Sequence, residues 1–224
     1  MYRFIKFATV NKMSYIMPEK ENRLMNTNVG FYEAMLKRRS VYALGKDTSI
    51  TKERIREILE YAVLHVPSAF NSQGARLVLL HGTESSRFWD IVRGILQKIV
   101  PPDAYPKTGA KIDSFDAGAG TILFFEDQDV IRDLSERFPL YRENFPVWSL
   151  ESNGMLQYAV WTALETEGFG ASLQHYNPLV DEAVRERWNL PAGWKLLAEM
   201  PFGASLGSAG EKTFLPVGDR LRVF

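Results

Sequence analysis

The sequence contains no cysteine among its 224 residues. This absence excludes disulfides, thiolate nucleophiles, iron–sulfur clusters and cysteine-based zinc sites. A chain without disulfides fits a reducing compartment. The first residues also lack the continuous apolar segment and small-residue cleavage site of a signal peptide. We therefore expect a cytoplasmic protein.

The chain also lacks net charge, because its 27 Lys and Arg residues are balanced by 27 Asp and Glu residues. Non-specific binding to nucleic acid needs surplus positive charge, so no nucleic-acid partner is expected. No apolar run reaches the roughly 18 residues of a membrane span, so no membrane partner is expected either. The three histidines show no metal-ligand spacing, which predicts no metal site.

What remains is an ordinary globular composition, with 46% hydrophobic residues and enough apolar side chains for a sizeable core. Residues 1–24 end in a polar run before the periodic sequence starts. They are expected to form a disordered extension, or to lie upstream of a true start at Met25. Residues 25–224 then make a single domain.

Helix-like and strand-like segments alternate along the chain, which favours an α/β or α+β fold. The clearest helix follows Thr51, an expected N-cap, and ends before Pro67. Further segments are predicted as helices at about 29–37, 85–100 and 149–167, and as strands at 76–81, 120–125, 194–200 and 220–224.

The predicted helix at 149–167, with Ser149 as its expected N-cap and Gly168 as its stop, is apolar or small on nearly every side. A helix without a wet face is buried all round. In a chain of this length, a second subunit is a natural way to cover it.

One apparent catalytic motif fails on its context. The segment from Gly203 through Ser205 to Gly207 matches the G-x-S-x-G turn of serine hydrolases. No helix pattern follows it, and the required histidine should come later in the chain, whereas the last histidine is His175.

Three other segments carry usable chemistry, although each has an ordinary structural alternative. Arg38-Arg39-Ser40 offers forked donors for a phosphate, but basic tripeptides are mostly solvated surface. Residues 67–73, PSAFNSQ, present amides and hydroxyls suited to a heterocycle, but also resemble a polar turn. Residues 168–176 begin with glycines that admit a flat ligand, or simply end a helix.

The order of these segments resembles the FMN-dependent nitroreductase family. The longer stretches RRSVYALGKD, VPSAFNSQGARLVLLHG, WKLLAEMPFG and EKTFLPVGDRLRVF are similar to its compact fungal-type branch, which also occurs in bacteria. The resemblance covers about residues 29–224. It implies an α+β fold with a central, mostly antiparallel sheet. It also implies an intertwined homodimer in which the C-terminal segment of one chain adds to the sheet of the other.

The resemblance also implies the cofactor site, with FMN at the dimer interface. Arg38, Ser40 and the neighbouring Arg39 are expected at the phosphate and ribityl end, together with Lys212. Asn71 is expected to contact the flavin. The other expected cofactor-binding residues are Ser68, Gln73, Gly170, Ala171, Ser172, Leu173 and Gln174.

The sequence departs from the broader family after Gln73, where Gly74-Ala75-Arg76 replaces the usual Pro-Trp. Arg76 is a candidate for the substrate pocket, where it could stabilise reduced flavin or bind an acidic group. It could equally pair with a nearby carboxylate as structure. Phe70 and Tyr176 are the other pocket candidates, with plain core packing as their alternative.

The reaction implied is hydride transfer from NADH or NADPH through flavin to nitroaromatics, quinones or similar small electron-poor acceptors, by a ping-pong mechanism. No residue of the chain need act as catalytic acid or nucleophile, because the flavin carries the chemistry. Two alternatives stay open: a flavin-binding sensor, storage or regulatory module with little turnover, and another flavin reaction such as ene reduction, dehalogenation or oxygen-dependent chemistry.

Overall fold

The computed structural model describes residues 29–47 and 49–224, so the expectations for residues 1–24 and Met25 lie outside the described residues. Seven α-helices and five strands are found in the described part of the chain. The helices are α1 Phe31–Lys37, α2 Lys52–His65, α3 Thr83–Ile99, α4 Tyr105–Asp116, α5 Gln128–Arg137, α6 Phe145–Thr166 and α7 Asp181–Arg187. The strands are β1 Leu44–Gly45, β2 Ala75–His81, β3 Gly120–Asp127, β4 Phe169–Ala171 and β5 Trp194–Ser205.

All named strand pairs in the central sheet are antiparallel. The strands lie in the order β1-β5-β3-β2, and β4 also pairs with β5. β3 sits in the middle, and all its residues before Asp127 are buried. The predicted α+β architecture with a central antiparallel sheet is confirmed.

The sheet separates two hydrophobic cores, because side chains of a strand alternate between its faces. Ile122 and Phe124 of β3 point to the side covered by α2 and α6, which we call the α6 side. Leu123 and Phe125 point to the side covered by α3, α4 and α7, which we call the α3 side.

Helix α2 forms as its periodicity predicts. The Thr51 side chain accepts a hydrogen bond from the Arg54 N–H at 3.2 Å, which satisfies one of the unpaired donors at the helix start. Ile55, Ile58 and Leu59 are buried, but Val63 near the end of the predicted apolar face is 44% exposed.

Helix α6 begins one turn earlier than predicted. Ser149 is not its N-cap; the helix starts at Phe145 with Pro146 in its first turn, and the Ser149 hydroxyl donates to the Pro146 carbonyl. A proline fits there because its missing N–H would be unpaired anyway. Gly168, with φ of +84°, follows the end of the helix as predicted.

Other elements also differ from the expectations. Residues 220–224 form no strand within the single chain; residues 211–224 are all exposed. Helices α4, α5 and α7 have no counterpart among the predicted elements. In the described residues, no helix is long and apolar enough to cross a membrane.

Candidate functional site

The first predicted segment is joined to the third by backbone pairing. Helix α1 ends at Lys37, and Ser40 then forms a parallel bridge with Ala171 of β4. The Val41 N–H donates to the Ala171 carbonyl at 2.9 Å. The structure therefore places the Arg38-Arg39-Ser40 segment directly beside the turn that follows α6.

The Arg38 guanidinium lies against two aromatic rings of α6. Its carbon is 4.3 Å from the centroid of Trp161 and 5.9 Å from that of Tyr158. Arg38 Nε is buried without a hydrogen-bond partner. The aromatic rings hold the guanidinium in place while its Nε stays unpaired. This arrangement is suited to binding a phosphate or a carboxylate.

Arg39 connects the same place to the C-terminal tail. Its Nη2 donates to the Gly210 carbonyl at 2.6 Å, and Lys212 follows two residues later. In the described ranges, no carboxylate lies within ion-pair distance of Arg38, Arg39 or Lys212. We call these three cations, with Ser40, the basic group.

The glycine-rich segment after α6 is more enclosed than its sequence indicates. Gly170, Ala171 and Ser172 are buried, and Leu173 is half-buried. A Cβ on Gly170 would lie 2.9 Å from Cγ1 of Val41, so only glycine allows this close approach. The buried Gln174 side chain donates to the Ser172 hydroxyl, so these two side chains are hydrogen-bonded to each other.

The second predicted segment forms a strained turn at residues 67–73. The Ser68 hydroxyl accepts from the Gln73 N–H at 2.9 Å, and the Ala69 N–H donates to Ser152 of α6 at 3.4 Å. Three non-glycine residues have positive φ: Phe70 at 59°, Asn71 at 51° and Gln73 at 50°. The Asn71 side chain is exposed and makes no hydrogen bond to any described residue.

Helix α6 holds these two groups apart within one chain. The turn contacts α6 near Ser152 and Trp148, whereas Arg38 stacks near Tyr158 and Trp161. The span from Trp148 to Trp161 is about 20 Å along a helix axis. A single chain therefore presents two half-sites, one towards each end of the same helix.

Two of the pocket candidates are engaged elsewhere. The Arg76 guanidinium pairs with Asp127 at 3.0 Å and donates to the Gln73 carbonyl at 2.6 Å. Tyr176 lies on the α3 side, edge-on to Trp89, and burial raises the pKa of its phenol to about 12. The structure does not bring Tyr176 to the other candidates.

The sequence-based reasoning missed several residues around the half-sites. Tyr158 and Trp161, three residues apart, share a helix face, and this spacing was the available signal. Glu126 of β3, only 2% exposed, accepts a hydrogen bond from Asn153 of α6 at 3.1 Å. Burial raises the pKa of Glu126. No local sequence pattern indicates this contact.

A groove of about 480 Å³ runs between α2 and β2, next to the turn at residues 67–73. Its apolar walls include Val63 and Leu64 of α2 and Leu77 and Leu79 of β2. β2 is the last strand of the described sheet on that side, so one of its edges has no strand partner there. In the described part of the chain, no cluster of three or more His, Cys, Asp or Glu residues is arranged to hold a metal ion.

The nitroreductase family model matches residues 35–204, which include the 67–73 turn and every member of the basic group except Lys212. The chain belongs to the nitroreductase family. It is therefore an oxidoreductase by family. The nitroreductase FRM2 of Saccharomyces cerevisiae is 30% identical over 193 residues, covering 85% of this chain and 96% of FRM2.

Solved nitroreductases share the fold. CinD from Lactococcus lactis, in complex with chloramphenicol, is 45% identical with a TM-score of 0.80, and the match covers 87% of this chain and all of CinD. CinD has also been solved with 4-nitrophenol. A nitroreductase structure from Saccharomyces cerevisiae is 28% identical with a TM-score of 0.70, covering 79% of this chain and 96% of that one.

Proposed function

We propose that the protein binds FMN and transfers hydride from NADH or NADPH to nitroaromatics, quinones or similar electron-poor acceptors. The observation that carries the proposal is Arg38, a stacked guanidinium with a buried, unpartnered Nε beside Ser40 and the glycine-rich turn. Such a group is suited to the phosphate and ribityl end of the cofactor. The proposed setting is the cytoplasm.

In this proposal the basic group binds the FMN phosphate. Arg38 and Arg39 offer forked donors, and Lys212 adds a point charge from the tail. Ser40 and the backbone of Gly170 and Ala171 border the same place. Three further sequence candidates follow β4. Ser172 and Gln174 are hydrogen-bonded to each other and would support the backbone there, whereas the half-buried side chain of Leu173 would contact the cofactor.

The turn at residues 67–73 supplies the second part of the proposed flavin site. Asn71 has a free amide that can donate and accept, which suits the edge of a heterocycle. Ser68 and Gln73 shape the turn through the hydrogen bond between them. The strain of three positive φ values in one short turn is typical of binding sites that the fold holds in place.

The proposed active form is a homodimer, because one chain leaves both half-sites and much apolar surface incomplete. Leu150, Met155 and Tyr158 of α6 are exposed, as are Phe31 and Tyr32 of α1. An antiparallel pairing of α6 with its copy would bring the basic group of one chain to the 67–73 turn of the other. Each flavin site would then be built from both chains.

The C-terminal tail is the proposed clasp of this dimer. Its exposed apolar residues are Phe214, Leu215, Val217, Leu221, Val223 and Phe224. We infer that these residues of one chain occupy the groove between α2 and β2 of the partner and add to the free edge of β2. An unpaired strand edge beside an apolar groove is a ready template for such an addition.

FMN, when bound, would supply the hydride-transfer chemistry between the nicotinamide and the acceptor, and the two substrates would use the pocket in turn. The chain's contribution is binding and electrostatics. The cations of the basic group compensate the phosphate charge, and the apolar walls near the turn exclude water. The chloramphenicol and 4-nitrophenol complexes of CinD support nitroaromatics as the acceptor class.

The test is an absorption spectrum of the purified protein followed by anaerobic titration with NADH and NADPH. A yellow protein that is bleached by either donor and recoloured by 4-nitrophenol or menadione is expected. A colourless protein that takes up no added FMN overturns the proposal. A yellow protein that is bleached but recoloured no faster with these acceptors than without them points to sensing or another flavin reaction.

A further inference from the structure

Phe70 has a backbone conformation that phenylalanine rarely adopts. Its φ and ψ are 59° and 17°, in the left-handed region, where the Cβ approaches a carbonyl oxygen. Asn and Asp offset this cost with local side-chain hydrogen bonds, which a phenyl ring cannot make. Hydrophobic burial does not explain the position either, because Phe70 remains 48% exposed.

Four aromatic rings pack around the Phe70 ring. Their centroids lie 5.2 to 6.0 Å away, and Trp148 is nearly parallel to Phe70, with an interplanar angle of 20°. We call these residues the aromatic cage: Phe138, Tyr141, Phe145 and Trp148. The cage compensates the strained backbone and fixes where the exposed face of the ring points.

The exposed part of Phe70 borders a cavity. The cavity has a volume of about 430 Å³, within the usual range for small-molecule sites. Trp148 forms another wall, and Met155 and Ser68 also line it. The cavity thus adjoins the turn that carries Asn71, the proposed flavin contact.

The chemistry of these walls is selective. The faces of phenyl and indole rings carry partial negative charge, and a thioether is polarizable. Electron-poor planar rings, such as nitroaromatics and quinones, stack favourably on such faces, whereas compact inorganic oxidants gain nothing from them.

We propose that Phe70 and Trp148 form an acceptor slot that selects planar, electron-poor aromatic molecules, with the aromatic cage setting its position. This inference rests on the proposed function and names the residues that determine its specificity. In this proposal the strained backbone at Phe70 serves to present the ring to the acceptor.

The test compares Phe70→Leu with Phe70→Tyr in the FMN-loaded, full-length protein. Leu keeps apolar volume but has no π face, whereas Tyr keeps the ring. Each variant is assayed with 4-nitrophenol, with menadione and with ferricyanide, which needs no ring stacking. Phe138→Leu is the matched control, because Phe138 belongs to the cage but does not line the cavity.

For Phe70→Leu we expect a roughly tenfold loss of kcat/KM with both aromatic acceptors, mainly through KM. The kcat/KM for ferricyanide should change by less than about twofold, because in a ping-pong reaction this ratio reports only the oxidation of the flavin, and ferricyanide makes no ring contact. Phe70→Tyr should restore most of the aromatic activity, and Phe138→Leu, which removes one cage ring but keeps both walls of the slot, should lose less of it than Phe70→Leu.

Equal losses with ferricyanide and aromatic acceptors in Phe70→Leu, or no loss with any of them, would overturn the slot. If Phe70→Leu loses FMN, Trp148→Leu provides the same comparison from α6, outside the strained turn. A wild-type protein without FMN or without aromatic turnover would instead overturn the proposed function, so the two failures are distinguishable.

Discussion

The two sides of the sheet are built from the same strands, but the chain covers one side more completely than the other. On the α3 side, Phe88 and Trp89 are fully buried, and Ser85, Thr121 and the Trp89 indole are joined by hydrogen bonds of 2.8 and 2.9 Å. On the α6 side, Leu150 and Met155 stay exposed, and Arg38 Nε has no partner. One side is closed by its own helices, whereas the other leaves apolar side chains exposed and a buried donor unpaired.

This difference explains where the candidate site lies. Arg38 of the basic group and the 67–73 turn both contact α6. Strand β4 follows α6 in the chain and forms a bridge with Ser40. A side that is already close-packed has no space for a cofactor. The α3 side also has buried oxygens without a hydrogen-bond partner, among them Oε1 of Glu199, a residue that is 0% exposed.

Removal of residues 211–224 should have the largest effect, because it removes both the proposed clasp and Lys212. A stop after Gly210 keeps the contacts of Leu206 with Ala43 and of Gly210 with Arg39. We expect the dissociation constant of the dimer to rise by at least about a hundredfold, because several apolar anchors disappear together. We also expect FMN to be lost. Light scattering after size-exclusion chromatography, with the flavin absorbance, measures both effects.

The matched control is the full-length Lys212→Ala variant, which loses the charge but keeps the apolar tail. It should remain a dimer and bind FMN about tenfold more weakly, the effect of one charge-assisted hydrogen bond. A truncated chain that stays dimeric with its full complement of FMN would show that the α6 side is covered in another way.

The second prediction compares two arginines. Arg38 has an unpaired, buried Nε, whereas Arg76 is paired with Asp127. Arg38→Ala should raise the FMN dissociation constant by about 10- to 100-fold, since charge-assisted hydrogen bonds to phosphate are lost. Arg38→Lys should recover part of the affinity because it restores the charge but not the planar fork. Fluorescence titration of the apoprotein with FMN measures these constants.

Arg76→Ala serves as the control, because its guanidinium is already used by Asp127 and the Gln73 carbonyl. Its FMN affinity should stay within about twofold of the wild type, and its main effect should be a modest loss of stability. If Arg76→Ala weakened FMN binding as much as Arg38→Ala, Arg76 would belong to the flavin site.

Elements that are defined by a short window of sequence could be predicted from the sequence alone. The periodicity after Thr51 and the apolar run of β3 are properties of short windows. The start of α6 was misplaced because Ser149 is a common capping residue, while the stronger signal was Pro146 in the first turn. Helix α5 was missed because its apolar side chains are few: Val130, Ile131 and Leu134.

The arrangement of the site could be predicted only in part. Family resemblance predicts Arg38, Asn71 and Lys212 as cofactor-binding residues, and these stay predictions. Which side of the sheet a residue faces depends on strand register, which the resemblance does not give. Tyr176 follows Gln174, which pairs with Glu199, and this register turns Tyr176 to the α3 side. The stacking of Arg38 on Trp161 and the left-handed Phe70 depend on contacts between distant segments.

The prediction with the smallest effect on the cofactor concerns Glu199 on the closed α3 side. Burial raises the pKa of this carboxyl to about 8 from its ordinary value of 4.5, although the hydrogen bond from the Tyr176 N–H lowers it. Between about pH 4.5 and about pH 8, the Glu199 carboxyl is protonated in the folded protein and ionised in the unfolded chain. This contribution to stability is complete below about pH 4.5 and is lost as pH rises through about 8.

Glu199→Gln keeps the shape and the acceptor for the Tyr176 N–H but cannot ionise. The wild-type free energy of unfolding should therefore fall, relative to that of the variant, by up to about 1.4 kcal/mol per pH unit across this window. Urea unfolding at several pH values measures the difference, with the exposed Glu151→Gln as control. FMN affinity should not change, since Glu199 lies across the sheet from α6; parallel pH curves for the wild type and Glu199→Gln would show that the carboxyl is not buried in its neutral form.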